Sequence, residues 1–415
     1  MRQFTRQVLR PESFGGLFYD TGTRSLRVLT RPEYEAMRSR FQLESPRGNP
    51  LQIFDATTEG FPLRTDALSA PINLFVELTR RCPRRCTHCY ANASALTQDE
   101  LTLQELERIL TRFRDIGGFT VRLTGGEPTV RPDFLEVLEL LQSLEVVCAL
   151  NTNGDFNEHF LAQIIDWGVR DFRVSLDGIE QTNDTIRWNG AFRSALGTLE
   201  ALTAYNRSND SKLSVTINTV LMRSNQQDVR AIIELAAGLG HKVSFGLLRI
   251  TGRAKASEML SALELGQVIE VAERACRDLR LKPGTVRMNY ISLSGEMPLS
   301  GYRPFPFDGS KCPLGTLGIA VDVQGRIVPC GYFVTVRDER FRGDDLCHVD
   351  LLFAWHTSSV LNEARRVTRS CCFGCTLYKT RCNGGCPMMA YVASGNLDGR
   401  DPYCLRIPSN PIPEV

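Results

Sequence analysis

The sequence predicts a parallel α/β fold, a partial barrel or an open sheet, with a hairpin-containing segment ahead of it and a small cysteine-rich domain behind. Three observations predict it. From residue 72 to about 280, short β-branched apolar runs alternate with stretches of helical periodicity. The apolar runs are near-continuous, as expected of strands covered on both faces. Beyond about residue 290 the chain turns rich in Gly, Pro and Cys.

The alternation starts at "INLFVEL" (72–78), a strand. "LTLQELERILTRFRDIG" (101–117) spaces its apolar residues for a helix and ends in glycine. "VRLTGG" (121–126) is strand and turn, "DFLEVLELLQSL" (133–144) helix, "VVCALNTNG" (146–154) strand and turn. "EHFLAQIIDWG" (158–168) is helix, "DFRVSLDG" (171–178) strand, "AFRSALGTLEALTAY" (191–205) helix. "KLSVTINTVL" (212–221) and "KVSFGLLRI" (242–250) are strands around the helix "DVRAIIELAAGLG" (228–240), and a helix over about 257–280 follows. Six strand–helix units imply parallel pairing through helical crossovers, too few for an eight-unit barrel. Upstream, "GGLFYDTGTRSLRVLT" (15–30) reads as two strands around "DTGT", "PEYEAMRSRF" (32–41) as a helix, and the rest to 71 as loop. Downstream, "GIAVDVQGRIVPCGYF" (318–333) is the one clear hairpin, so this region reads as stapled by metal rather than by a large apolar core. The expected domains are 1–71, 72–290 and 291–415.

Composition excludes several classes of function. The 415 residues are 42% hydrophobic and 23% charged, an ordinary soluble composition. Lys plus Arg (49) nearly balance Asp plus Glu (47), which gives no support to a nucleic-acid surface. No apolar run approaches the roughly 18 residues of a membrane span. The N-terminus, "MRQFTRQVLRPESFGG", lacks the apolar stretch of a secretory signal, so a cytoplasmic location is expected.

Fourteen cysteines in a reducing compartment then need a reason other than disulfides. They cluster: Cys82, Cys86 and Cys89; Cys312 and Cys330; and six between Cys371 and Cys404. Cys148 and Cys276 read as small buried hydrophobes, but "CCFGCTLYKTRCNGGC" does not. Such clustering points to metal or iron–sulfur ligation. "RCPRRCTHCY" (81–90) has the spacing C-x3-C-x2-C directly after a strand. A zinc site needs four ligands, usually from two knuckles. Here only His88 could complete one, cramped between Cys86 and Cys89. Three thiolates around a cubic 4Fe–4S cluster would instead leave one iron open.

This stretch resembles the signature of the radical SAM enzymes, Cys-x3-Cys-x-aromatic-Cys after the first strand of a partial (β/α)6 TIM-type barrel. The resemblance implies that Cys82, Cys86 and Cys89 hold a 4Fe–4S cluster whose open iron binds S-adenosylmethionine. One electron then cleaves that molecule to methionine and a 5′-deoxyadenosyl radical, which takes a hydrogen atom from substrate. His88 stands at the position that contacts the adenine. Further motifs match at strand ends: "GGEP", with Gly125, Gly126 and Glu127, toward the methionine amino group; "SLDG", with Ser175 and Asp177, and Asn153 of "NTNG", toward the ribose and methionine; and Arg187 toward the carboxylate. Taken singly, "GGEP" is a turn, "SLDG" a helix entry and Arg187 a solvated charge. Four motifs in order on one sheet edge outweigh those readings.

The tail resembles the SPASM domain, an extension of some radical SAM enzymes that carries two auxiliary 4Fe–4S clusters. The resemblance implies an outer cluster on Cys372, Cys375, Cys382 and Cys404 and an inner one on Cys312, Cys330 and Cys386, three clusters in all. The central gap is x6 where the family has x5. The further inner cysteine often found just upstream is missing from "YRPFPFDGSK" (302–311), which leaves Cys347 and Cys371 as spare candidates, read here as unligated thiols. The family also implies a ribosomal precursor peptide as substrate, a flavodoxin or ferredoxin-type electron donor, and a separate leader-binding protein if the N-terminal segment does not fill that role. The alternatives are a radical SAM enzyme acting on a tetrapyrrole or sugar, and a zinc-knuckle interaction protein. No catalytic acid or base can be named; Asp322 and Tyr90 are the candidates.

Overall fold

The computed structural model describes residues 6–43, 51–94, 99–289, 291–293, 312–313, 315–336 and 338–406. All of "YRPFPFDGSK", where the further inner cysteine was sought, thus lies outside the described residues.

The N-terminal segment is a four-stranded sheet. It comprises β1 (Gln7–Glu12), β2 (Gly15–Asp20), β3 (Ser25–Thr30), helix α1 (Arg31–Leu43) and β4 (Leu51–Ile53), in the order β3-β2-β1-β4. The expected hairpin is β2–β3, and α1 is the expected helix; β1 and β4 were read as loop. β1 escaped because its charged residues point inward. Arg10 and Glu12 are both fully buried and paired at 2.8 Å. Arg10 also donates to the Ala70 carbonyl at 2.9 Å, and Glu12 accepts from the Ser69 N–H at 2.7 Å. These bonds fasten the sheet beneath the amino ends of the main strands. Arg24, in the β2–β3 turn, adds bonds to the carbonyls of Arg170 (3.0 Å) and Lys212 (2.6 Å).

The main sheet carries the expected order: β5 (Asn73–Thr79), α2 (Leu103–Asp115), β6 (Thr120–Gly125), α3 (Phe134–Ser143), β7 (Val147–Thr152), α4 (Glu158–Asp166) and β8 (Val169–Ser175). Then come α5 (Gln181–Ile186), α6 (Ala191–Ser208), β9 (Ser214–Leu221), α7 (Val229–Leu239), β10 (Lys242–Leu247) and α8 (Ala262–Asp278). Thr102 with Glu105 and Ser261 with Glu264 form capping boxes that start α2 and α8. The structure adds a seventh parallel strand, β11 (Val286–Met288), too short to leave a periodic signal. The hairpin β12 (Gly318–Val321) and β13 (Ile327–Val328) joins the same sheet, β12 parallel to β5. The nine strands run β11-β10-β9-β8-β7-β6-β5-β12-β13, with the two ends unpaired, so the barrel is partial. Strand residues alternate between two faces. In β8, Phe172 and Val174 are fully buried against the helices, while Asp171, Arg173 and Ser175 face the barrel interior.

The cysteine-rich region holds helices α9 (Leu351–Thr357), α10 (Ser359–Arg365) and α11 (Pro387–Ser394). It has an apolar core after all. Phe333, Trp355 and Met388 are fully buried in the same continuous cluster as the barrel strands. Its apolar residues are irregularly spaced, so periodicity did not reveal them. The region spans both free edges of the sheet. β12 pairs with β5 on one side; on the other, Ser292 donates to the Arg381 carbonyl at 2.9 Å and Ile291 bridges Cys382.

Replacing Arg10 with Met strands Glu12 as a buried, uncompensated charge. The denaturant midpoint should fall by the equivalent of about 3–5 kcal/mol, and the double change Arg10→Met, Glu12→Leu should recover most of that.

Candidate active site

The loop carrying Cys82, Cys86 and Cys89 leaves β5 at the carboxyl edge of the sheet, as expected. It is pinned from three sides. Its base closes on itself, Cys82 N–H to the Ser94 carbonyl at 2.8 Å. Thr87 N–H reaches the Ile186 carbonyl at 2.9 Å. The third clamp comes from the loop after β10: the Arg253 guanidinium donates to the carbonyls of Cys86 (3.0 Å) and Ala93 (2.8 Å), and its backbone N–H to Cys89 (3.0 Å). Gly252 permits this approach. Its φ is +64°, and a Cβ there would run into the Cys89 carbonyl.

Gly125 and Gly126 are explained by the chain itself. A Cβ on either would collide with the backbone at Thr79 or Arg81, where β5 exits. Gly126 N–H bonds the Thr79 carbonyl at 2.7 Å and Glu127 N–H the Arg81 carbonyl at 2.9 Å. The close approach assigned to a ligand is thus taken up by the strand carrying the cysteine loop. Glu127 is buried, and its oxygens accept from Asn153 N–H (2.7 Å), Thr152 (2.9 Å) and Thr129 (2.8 Å). Burial pushes its carboxyl above the usual range. Glu127 therefore ties the "GGEP" and "NTNG" turns together.

Asp177 is the centre of the site. It is fully buried, two residues beyond the end of β8. Its Oδ2 lies 2.6 Å from the Arg187 guanidinium and 3.1 Å from His88 Nε2. Oδ1 accepts from Val220 N–H at 2.7 Å, and its backbone is held by Asn183 and Asn225 at 2.7 Å each. Burial alone would raise its carboxyl, but Arg187 and His88 outweigh that and hold it well below the usual range. His88, Asp177 and Arg187, predicted as separate ligand contacts, thus form one network beside Cys86. Ser175 sits at the end of β8 facing the interior, and Asn153 caps its own turn through Asp155 N–H.

The donors fit the implied groups. Among the described residues, which include all fourteen cysteines, no disulfide forms. Burial pushes the Cys82 thiol up to about 11, with Glu127, Cys86 and Cys89 acting the same way, so a cationic metal cluster would relieve a thiol-rich pocket. His88 Nδ1 and Arg187 Nε are buried without a hydrogen-bond partner, two donors or acceptors left for a polar ligand.

Some of the remaining cysteines lie near one another. Cys382 lies in the electrostatic reach of Cys404 and Cys375, and Cys372 in that of Cys382. Cys330, pushed up to about 12 by burial, neighbours Cys386. Asp401 links them: it accepts from Cys386 N–H at 2.5 Å, and its carbonyl from Cys404 N–H at 3.0 Å. Cys371 lies beside Cys372, 3.8 Å between sulfurs, and Cys347 sits against Gly325 and Asp345. Asp322 spends one oxygen on the N–H groups of Gln324 and Arg326, and burial raises the Tyr90 hydroxyl.

Arg253 and Gly252 were missed; "TGRA" in a predicted loop carries no signal of a partner more than 160 residues upstream. Arg253→Met should loosen the loop, so alkylation of Cys82, Cys86 and Cys89 in the metal-free protein should speed up roughly ten-fold, since thiol reactivity follows access.

Comparison with known proteins agrees with this geometry. Residues 76–236 match the Radical SAM superfamily. The chain is 28% identical over 343 residues to the mycofactocin maturase MftC of Mycobacterium ulcerans, covering 82% of this chain and 89% of that protein. It is 26% identical over 346 residues to the PqqA peptide cyclase of Rhizobium meliloti, covering 81% and 88%. The crystal structure of Streptococcus suis SuiB bound to its precursor peptide SuiA shares the fold, with a TM-score of 0.69 at 17% identity over 97% of this chain and 98% of that one. The cysteine loop, the Asp177 network and the strand ends that carry them all lie in the part of the chain, residues 76–236, that is similar to the Radical SAM superfamily.

Proposed function

We propose that the protein is a peptide-modifying radical SAM enzyme that matures a ribosomally made precursor. The observation that carries this is the His88–Asp177–Arg187 network beside Cys86, on the loop that also carries Cys82 and Cys89, at the carboxyl edge of the barrel. The two curated relatives, one of them named for its peptide substrate, support the substrate class.

Cys82, Cys86 and Cys89 would hold the 4Fe–4S cluster. When bound, the cluster and S-adenosylmethionine supply one-electron cleavage to a 5′-deoxyadenosyl radical and hydrogen-atom abstraction. The chain's own residues orient. Arg187, held by Asp177, presents a fixed cation to the methionine carboxylate. His88, held at Nε2 by Asp177, would contact the adenine. Gly125, Gly126 and Glu127 shape the rim toward the amino group, and Asn153 and Ser175 the ribose side. Asp177 acts through His88 and Arg187, because its oxygens are already taken.

Two auxiliary clusters complete the proposal, an outer one on Cys372, Cys375, Cys382 and Cys404 and an inner one on Cys312, Cys330 and Cys386, with Cys347 and Cys371 unligated. The exposed strand β3 is an edge to which an extended peptide can add. A separate leader-binding protein and a flavodoxin or ferredoxin-type donor are the remaining expected partners. No helix among the described residues is long and apolar enough to cross a membrane.

Anaerobic reconstitution should load about twelve irons, four for each thiolate-held cluster, and the triple change of Cys82, Cys86 and Cys89 to Ala should remove about a third. Iron content unchanged by that substitution would sink the assignment. Asp177→Asn should weaken S-adenosylmethionine binding at least ten-fold, by about 1.4 kcal/mol or more, with iron content unaltered. Mass spectrometry of a precursor peptide encoded beside the gene and co-expressed with the enzyme should show a defined mass change; a tetrapyrrole or sugar substrate would leave the peptide unaltered.

A further inference from the structure

Among the described residues, the barrel interior carries a cation with no ion-pair partner. On the inward face, register places Arg122 of β6 beside Ala149 of β7, and Asn151 of β7 beside Arg173 of β8. Arg173 is in turn beside Thr216 of β9. Arg122 is committed: it donates to Asn151 Oδ1 at 3.0 Å and pairs with Asp171 at 3.1 Å. Burial, with Arg173 next, pulls its guanidinium down to about 10. The acid two residues away on the same strand, Asp171, is therefore already paired with Arg122. The Arg173 side chain makes no hydrogen bond or ion pair among the described residues and is only partly buried. It lies two residues below Ser175 and four below Asp177 on the same strand, so about 13 Å of extended chain separates it from the site's mouth. Nor does charge below it help: where the interior opens at the amino ends of the strands, a cavity of about 570 Å³ is lined by Asp171 but also by Arg24, Lys212 and Lys242.

We propose that Arg173 is a specificity residue that binds a carboxylate of the substrate inside the barrel, placing a neighbouring residue of the peptide at the mouth. This rests on the peptide reading above. An unpaired guanidinium held next to a second arginine is electrostatically unfavourable until an anion arrives, and a carboxylate matches its fork of donors with two parallel bonds. The carboxylate is either an Asp or Glu side chain or the chain's own C-terminus.

Four probes separate these sources on the reconstituted enzyme by equilibrium dialysis: N-acetyl-Ala-Glu-Ala-amide against its Gln counterpart, and N-acetyl-trialanine as free acid against its amide. At least one acid should bind about ten-fold more tightly than its amide, the strength of a charge-assisted hydrogen bond. Which acid does so identifies the source. Arg173→Gln should abolish that preference and Arg173→Lys restore it in part. Peptide-free formation of 5′-deoxyadenosine should be the same in all three proteins. Equal binding of acid and amide by the unaltered enzyme, absence of binding by both acids, or a preference that survives Arg173→Gln overturns the proposal. Absence of 5′-deoxyadenosine from the unaltered enzyme instead overturns the radical SAM reading, independently of the dialysis.

Discussion

A buried carboxylate has to be compensated, and that of Asp177 is compensated by three separate parts of the chain. His88 comes from the cysteine loop, Arg187 from the end of α5 and the Val220 N–H from β9, while Asn183 and Asn225 clamp the Asp177 backbone. Removing any one leaves charge or polar groups stranded in a dry site, which is costly. The network therefore fixes where the cysteine loop stands relative to β8 and β9. It also keeps Asp177 ionised, so Arg187 stays in place as an oriented cation rather than a mobile one.

The rest of the edge is organised by close backbone crossings. The Gly125–Gly126 turn lies over the exit of β5, and Gly252 lies against the Cys89 carbonyl. Each brings two strand ends nearer than any side chain would allow. Glu127 then laces the turns after β6 and β7 together through Asn153 and Thr152. The edge is thus held together by the chain's own hydrogen bonds and close backbone crossings. Below it, the interior stays polar, because strand alternation sends the apolar residues outward to the helices. The cysteine-rich region uses the same core and grips both sheet edges, so its thiols are held to the barrel by packing as well as by any metal.

Much of this was legible in the chain. The strand–helix alternation from residue 72 onward gave the parallel sheet, because buried parallel strands are apolar runs. The cysteine spacing and the turns "GGEP", "NTNG" and "SLDG" marked the carboxyl edge. The misses share a cause. β1 was hidden because Arg10 and Glu12 satisfy one another in the interior, which inverts the usual pattern of polar residues outside. β4 and β11 are three residues each, shorter than any period can reveal. The apolar core around Trp355 was hidden by irregular spacing.

By itself, then, the sequence determined the sheet, its direction and which residue types gather at its active edge, since these follow from local periodicity and motif spacing. Only the tertiary structure decided which of those residues act on one another. That Asp177 is spent on His88 and Arg187, that Arg253 clamps a loop far upstream, and that Arg122 takes the acid Arg173 lacks all depend on distances between residues far apart in the chain. Pairing of charges across strands and loops is set by register and burial, and neither is written in any single stretch of sequence.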